Sequence, residues 1–188
     1  LAQLPTVLEF APNISKELNI NLYIKRDDCT ALAFGGNKTR HLEFIMAKTL
    51  SGKYDCILTG AASQSNFCRQ AVAAANKLNL DSYLVLMHGV KGKLMQGNFL
   101  LYNILGANVD VVDGENLENI PKHLDKKYDE LIKEGRKPLL IYGGFGEEDT
   151  TLAGISYANT MAEIDKQMKN QNFIADHLFV TAANMTQA

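Results

Sequence analysis

The chain predicts an α/β fold, an open, twisted and mostly parallel sheet with flanking helices. Three observations carry that expectation. Strand-like and helix-like segments alternate from end to end. The strand-like runs are short and apolar on both sides, as strands covered by helices on both faces are. Polar or glycine-bearing loops follow them, and in such sheets ligands sit beyond the C-terminal ends of the strands.

The elements follow in order. Residues 21–25 read as a short strand. Residues 37–50 read as a helix, because Leu42, Ile45, Met46 and Leu50 fall on one face. Residues 54–59 form a compact apolar strand. Residues 65–79 form a helix with Cys68, Ala71, Val72, Ala75 and Leu78 in line, and 82–87 another strand. The helix over 97–105 is closed by Gly106, which suits a C-terminal cap. Strands over 109–112 and 139–142 are separated by a charged helix around 117–133. A long helix covers 151–168, and 178–181 is a final strand. The loops beyond strand ends are then 60–64, 88–96, 143–149 and 182–188.

Bulk properties bound the function. Of 188 residues, 46% are hydrophobic and 21% charged, enough for a real core and too apolar for global disorder. A net charge of −2 predicts neither nucleic-acid binding nor membrane-surface binding. No apolar run reaches the ~18 residues of a membrane span. Cys29, Cys56 and Cys68 form no C-x-x-C pair and no complete disulfide framework, so reduced thiols and a cytoplasmic location are expected. No signal peptide is visible. Because the chain starts at Leu1 rather than Met, further residues before it stay open.

Two stretches could carry chemistry. Gly35-Gly36-Asn37-Lys38-Thr39 puts a lysine directly after a tight turn, at the mouth of an amphipathic helix. It is not a P-loop, since Asn37 breaks the Gly-Lys order and Ala31 stands where the first glycine belongs. The glycines let the backbone turn sharply and approach a ligand. The helix start and partial burial favour the neutral, nucleophilic amine at Lys38, which can form a Schiff base with a carbonyl cofactor. An ordinary solvated lysine fits this stretch equally well. The second stretch, Gln64-Ser65-Asn66, opens the next helix. One capping serine, Ser63 or Ser65, explains part of it. The density of polar side chains beside free backbone N–H groups suits a ligand carboxylate or ring oxygen.

Other candidates read as structural. Asp27-Asp28 would point to opposite sides of a strand and serve turns or salt bridges to Arg26 or Arg40. His41, His88, His123 and His177 lack metal-ligand spacing, so no metal site is expected. Only His41, three residues after Lys38 on the same helix face, has a site role. No Gly-x-Ser-x-Gly elbow and no Gly-x-Gly-x-x-Gly fingerprint occurs.

The run from Lys25-Arg26-Asp27-Asp28 through Gly36-Asn37-Lys38-x-Arg40 to Leu42-Glu43-Phe44 resembles the signature of the pyridoxal-phosphate-dependent D-cysteine desulfhydrase and 1-aminocyclopropane-1-carboxylate deaminase family. It departs at Ala31, usually glycine, and at His41, usually lysine. Gln64-Ser65-Asn66 with Arg69, then Gly97-Asn98 with Leu100-Leu101 and Gly106-Ala107, then Gly143-Gly144 with Gly154, Tyr157 and Glu163, resemble three further family motifs in order. The resemblance runs from Pro5 to about Val180.

The resemblance implies a tryptophan synthase β-like fold (fold type II). Residues 1–49 and 150–188 would belong to a larger cofactor domain, whose second half is missing, and 50–149 to a smaller α/β domain. It implies that Lys38 forms the Schiff base with pyridoxal phosphate and that Asn66 contacts the ring oxygen. His41 would sit where the family's lysine reaches the phosphate, and Asn184 and Thr186 in the terminal loop would be polar contacts to it. Ser65 would touch the substrate and act as nucleophile in ring opening. Asn37 and Gln64 would hold the substrate carboxylate. The implied reaction is elimination or deamination of a small amino acid, D-cysteine-like or 1-aminocyclopropane-1-carboxylate, to a 2-oxo acid and ammonia. Sulfide would be released as well from D-cysteine. A homodimer is implied for the full-length form. The alternative is a non-catalytic fragment or descendant of the family that binds a ligand or partner.

Overall fold

The computed structural model describes residues 1–88, 94–112 and 116–181. The chain opens with β1 (Leu8–Phe10), α1 (Pro12–Leu18) and β2 (Tyr23–Lys25), then α2 (Lys38–Ser51), β3 (Cys56–Ala62) and α3 (Asn66–Lys77). There follow β4 (Asp81–Met87), α4 (Gly97–Ile104), β5 (Asn108–Val112), α5 (Ile120–Lys133), β6 (Pro138–Ile141) and α6 (Glu147–Asn170). β1 and β2 pair antiparallel, Leu8 opposite Lys25. The main sheet has the order β5-β4-β3-β6, and every neighbouring pair is parallel. This is the expected α/β architecture.

Alternation along the strands decides which helix goes where. Ile57, Leu139 and Ile141 face α2 and α3, where Leu42, Ile45, Met46, Ala71, Ala74 and Ala75 complete one core. The alanines let α3 lie close to the sheet. Leu84 and Leu86 continue this face under Cys68, Val72, Phe99 and Tyr102. The alternate residues Leu58, Val85 and Met87 face Ile120, Leu124 and Leu131 of α5 on the other side. Strands covered on both faces explain why their sequences lack a polar side. Gly60 leaves no room for a side chain: a Cβ there would lie 2.5 Å from the carbonyl oxygen of Val85 on the neighbouring strand and 3.1 Å from Ile120 Cγ2 of α5.

A buried ionic cluster ties α6 to the start of the chain. Lys25 Nζ donates to Glu163 Oε1 at 2.5 Å and to Gln167 Oε1 and the Thr6 carbonyl at 2.7 Å. Arg40, 4% exposed, grips Asp27 with two bonds of 2.8 Å and Glu163 with two of 3.1 Å. Each buried charge is thus paired and hydrogen-bonded, the condition under which burial is tolerated. Asp27 and Asp28 take the structural roles expected of them, Asp28 pairing with Arg26 at 2.8 Å.

Several boundaries differ from the sequence reading. The segment 178–181 is no strand: it has no strand partner among the described residues, and Phe179 is 90% exposed. Apolar content alone makes no strand without a neighbouring edge to pair with. α6 begins at Glu147, inside the segment read as a loop, because Glu147, Glu148 and Asp149 put negative charge on its first turn. The charged helix near 117–133 starts with a single 3₁₀ turn, Leu117–Asn119, and becomes α-helical at Ile120 with Pro121 in its first turn. β1 and α1 lie outside the sequence reading altogether. They are short, and α1 is bounded by Pro12 and by Asn19 in the left-handed conformation at φ +53°.

Candidate functional site

The turn before Lys38 is built from an unusual run of left-handed residues. Ala31, Ala33 and Phe34 have φ of +73°, +46° and +69°, and Gly35 and Gly36 have +72° and +125°. Ala31, which stands where the resembled pattern has glycine, therefore adopts a conformation that disfavours a Cβ. At Gly35 a Cβ would fall 1.8 Å from the Asp28 carbonyl oxygen, and at Gly36 2.5 Å from Gln70 Nε2. Only glycine fits either place. The Gly35 carbonyl accepts from Arg69 at 3.0 Å and from Gln70 at 2.8 Å. Thr30 Oγ1 donates to the Gly36 carbonyl at 2.8 Å, and Thr39 Oγ1 to Gln70 Oε1 at 2.7 Å. These bonds fasten the turn to α3 and deliver Lys38 as the first residue of α2. Lys38 is half-buried, and burial lowers its pKa, which favours the free amine.

Lys38 looks into a cavity of about 330 Å³ beyond the C-terminal ends of β3 and β6. His41, Ser65, Asn66, Gly143 and Asp149 share its lining. His41 is 6% exposed and its Nε2 is buried with no hydrogen-bond partner among the described residues. Its ring meets Tyr157 edge-on. Burial, helped by the positive charge of Lys38, pushes the His41 pKa down to about 4, so the imidazole is neutral at pH 7. Asp149 accepts the Gly143 N–H at 3.0 Å, and burial raises its pKa.

Ser65 is the N-cap of α3, its Oγ accepting the Cys68 N–H at 3.3 Å, and it also lines the cavity. The capping side chain is therefore itself part of the cavity wall. Asn66 is exposed at the cavity edge, and its Oδ1 accepts from Asn98 Nδ2 at 3.0 Å. Gln64 turns the other way: its Oε1 accepts the Asn98 N–H at 2.9 Å and its Nε2 donates to the Gln96 carbonyl at 3.0 Å, holding the start of α4. Asn37 Nδ2 donates to the Tyr157 hydroxyl at 2.5 Å. The cavity thus gathers Lys38, His41, Ser65 and Asn66, while Asn37 and Gln64 sit beside it with their amides engaged. Asn184 and Thr186 lie outside the described residues. No group of metal-binding side chains occurs among the described residues. Asp149 escaped the sequence reading because 143–149 looked like a loop; the acidic run before an apolar helical pattern was the available signal.

The arrangement suits a carbonyl-bearing ligand with hydrogen-bonding substituents. A depressed-pKa amine supplies the nucleophile, the His41 Nε2 a hydrogen-bonding position, and Ser65 and Asn66 further polar contacts in the same cavity. Those donors fit pyridoxal phosphate.

The comparisons agree. The family described as "Pyridoxal-phosphate dependent enzyme" matches residues 1–186. D-cysteine desulfhydrase of Klebsiella pneumoniae is 34% identical over 189 residues, covering 98% of this chain and 56% of that protein. The mitochondrial bifunctional D-cysteine desulfhydrase/1-aminocyclopropane-1-carboxylate deaminase of Arabidopsis thaliana is 34% identical over 178 residues, 89% of this chain and 43% of its own length. A solved homologue of 1-aminocyclopropane-1-carboxylate deaminase has a TM-score of 0.79 at 36% identity, covering 89% of this chain and 50% of that one. The chain spans about half the length of the relatives it matches. With a match that runs nearly end to end, and a lysine-bearing cavity at the expected place in the sheet, the chain belongs to the family of pyridoxal-phosphate-dependent enzymes.

Proposed function

We propose that the protein works in the pyridoxal-phosphate-dependent elimination or deamination of a small amino acid, D-cysteine-like or 1-aminocyclopropane-1-carboxylate, to a 2-oxo acid and ammonia. With D-cysteine, sulfide leaves as well. The observation that carries this reading is the half-buried Lys38 amine in one cavity with Ser65, Asn66 and His41. Pyridoxal phosphate, when bound, supplies an electron sink for a carbanion at the substrate's α- or β-carbon.

The chain's own residues do the rest. Lys38 offers the amine that holds the cofactor and moves a proton at its Nζ. Asn66 would hold the ring oxygen. His41, neutral at Nε2, would meet the phosphate as a hydrogen-bonding group rather than as a cation, with Asn184 and Thr186 as further contacts. Ser65 Oγ would contact the substrate and attack in ring opening. Gln64 and Asn37 would hold the substrate carboxylate, each by exchanging its present amide partner for the substrate. The same reading assigns 1–49 and 150–188 to a larger cofactor unit and 50–149 to a smaller one. The sheet within 56–141 supports the smaller unit, although its core also draws on α2. A homodimer of the full-length form and a cytoplasmic location belong to the same proposal. Among the described residues, no helix is long and apolar enough to cross a membrane.

Borohydride reduction in the presence of pyridoxal phosphate, followed by peptide mass mapping, tests the proposal. Label on the Lys38 peptide, absent in Lys38→Ala, supports it. A protein that carries no label at Lys38 overturns it. Ammonia and 2-oxo acid release from D-cysteine and from 1-aminocyclopropane-1-carboxylate, assayed separately, distinguishes the two substrates.

A further inference from the structure

The chain has four arginines, and three of them are matched by carboxylates. Arg26 pairs with Glu9 and Asp28, Arg40 with Asp27 and Glu163, and Arg136 with Asp55 and Asp81. Arg69 has no carboxylate partner among the described residues. Among the described residues its guanidinium bonds only to neutral oxygens, through one terminal nitrogen to the Gly35 carbonyl at 3.0 Å and through the other to Asn98 Oδ1 at 3.1 Å. Its Nε is buried with no partner among the described residues. Burial without a counter-ion lowers its pKa. A desolvated charge held this way is an expensive means of joining two neutral oxygens.

What the fork joins gives the expense a purpose. Gly35 belongs to the turn that aims Lys38. Asn98, at the start of α4, passes the connection on: its Nδ2 donates to the Gln64 carbonyl at 2.8 Å and to Asn66 Oδ1 at 3.0 Å. One guanidinium therefore links the backbone before Lys38 to the polar edge of the cavity that Lys38 lines. A planar fork with donors at fixed angles holds two acceptors in a fixed relation, which a lysine ammonium on a flexible stem does not.

The geometry points to Arg69 as a positioning residue that, through Asn98, fixes the Gly35–Lys38 turn relative to Ser65 and Asn66. This inference rests on the reading of Lys38 given above. Arg69 does not line the cavity, so it acts through the groups it holds and touches neither cofactor nor substrate.

The test measures the rate at which pyridoxal phosphate, trapped by borohydride, labels the Lys38 peptide, as a function of cofactor concentration. Arg69→Lys keeps the charge and loses the fork. It is expected to lower the maximal labelling rate by about tenfold, the scale of a modest misplacement of a reacting group. Asn98→Ala, which cuts the same link from the other side, is expected to match it, and the double variant to be no slower than either single one. Arg136→Gln serves as control: it breaks an arginine network remote from the cavity and is expected to leave the rate within about twofold, despite a comparable fall in thermal midpoint. Arg69→Lys or Asn98→Ala labelling at the wild-type rate overturns the inference, as does a loss that merely follows the thermal midpoint in all variants, Arg136→Gln included. If Arg69→Lys fails to fold, Asn98→Ala decides alone. Absence of label on the wild-type protein is the separate result that removes the reading of Lys38 and this inference with it.

Discussion

The ring of Tyr157, on α6, meets the ring of His41, on α2, edge-on, with centroids 5.0 Å apart and planes at 81°. The same tyrosine accepts the Asn37 amide at its hydroxyl, so a single side chain braces the residue before Lys38 and the residue one turn after it. Tyr157→Phe removes the acceptor and keeps the ring. It is expected to destabilise the fold by about 1 kcal/mol, the net worth of an ordinary hydrogen bond. Tyr157→Leu removes the edge-on contact too and is expected to be clearly worse. Urea unfolding of both variants measures the difference, and equal losses would show that the ring contact contributes nothing.

Acid should weaken the fold through His41. Its pKa in the folded protein, about 4, lies below the ordinary 6.5, so between these values the unfolded chain binds the extra proton. Stability that is complete above about pH 6.5 therefore falls as the pH drops towards 4. At roughly 1.4 kcal/mol per pH unit the loss reaches about 3 kcal/mol. His41→Leu should flatten this part of the profile relative to wild type. Parallel pH–stability curves for the two proteins would contradict the assignment.

Glu163 is shared by Lys25 and Arg40. Glu163→Gln keeps the shape and removes the charge, leaving Arg40 with Asp27 alone and Lys25 with no carboxylate partner among the described residues. A loss of about 3–5 kcal/mol is expected, as when one partner of a buried pair is removed. Thermal and denaturant melts measure it. A loss below about 1 kcal/mol would mean that solvent, and not Glu163, balances those cations.

Gly35→Ala puts a Cβ into the Asp28 carbonyl oxygen in a backbone region that disfavours side chains. The turn must open, at a cost of about 2 kcal/mol or more. Labelling of Lys38 by pyridoxal phosphate should fall with it. Gly135→Ala also sits at positive φ, +80°, but with nothing within 4 Å of its Cβ; it should lose stability without losing label.

The three thiols should separate cleanly. Cys29 is exposed, whereas Cys56 and Cys68 are buried. Burial raises both of their pKa values to about 12, keeping them as unreactive thiols. An aromatic disulfide reagent should modify one cysteine in the native protein and three after unfolding. Cys29→Ser should abolish the native reaction.

The parallel sheet was legible because doubly covered strands are apolar on both sides, and Ile57-Leu58 or Leu84-Val85-Leu86 have no other plausible place. Lys38, Ser65 and Asn66 were legible because glycine turns and capping residues mark helix starts, and helix starts at strand C-termini converge. The destinations of Gln64 and Asn37 were not, since both amides answer to residues distant in sequence, Asn98 and Tyr157. His41 was recognised as a neighbour of Lys38, but its neutrality follows from a burial that its own helix does not reveal. The exposed stretch at 178–181 shows the converse, since Leu178, Phe179 and Val180 have strand character and no strand beside them.

The central position of β3 has a consequence for synthesis. β3 lies between β4 and β6, and its Thr59 side chain donates to the carbonyl of Ile141, 82 positions later. At about 5–20 residues per second, a ribosome takes roughly 4–16 s to cover that interval. Throughout it, the edge of β3 awaiting β6 lies open, and the part of the cavity wall that Tyr142 and Gly143 supply does not yet exist. Lys38 leaves the ribosome long before the residues that complete its pocket, so on the proposed reading cofactor capture would be a late event in the life of the nascent chain.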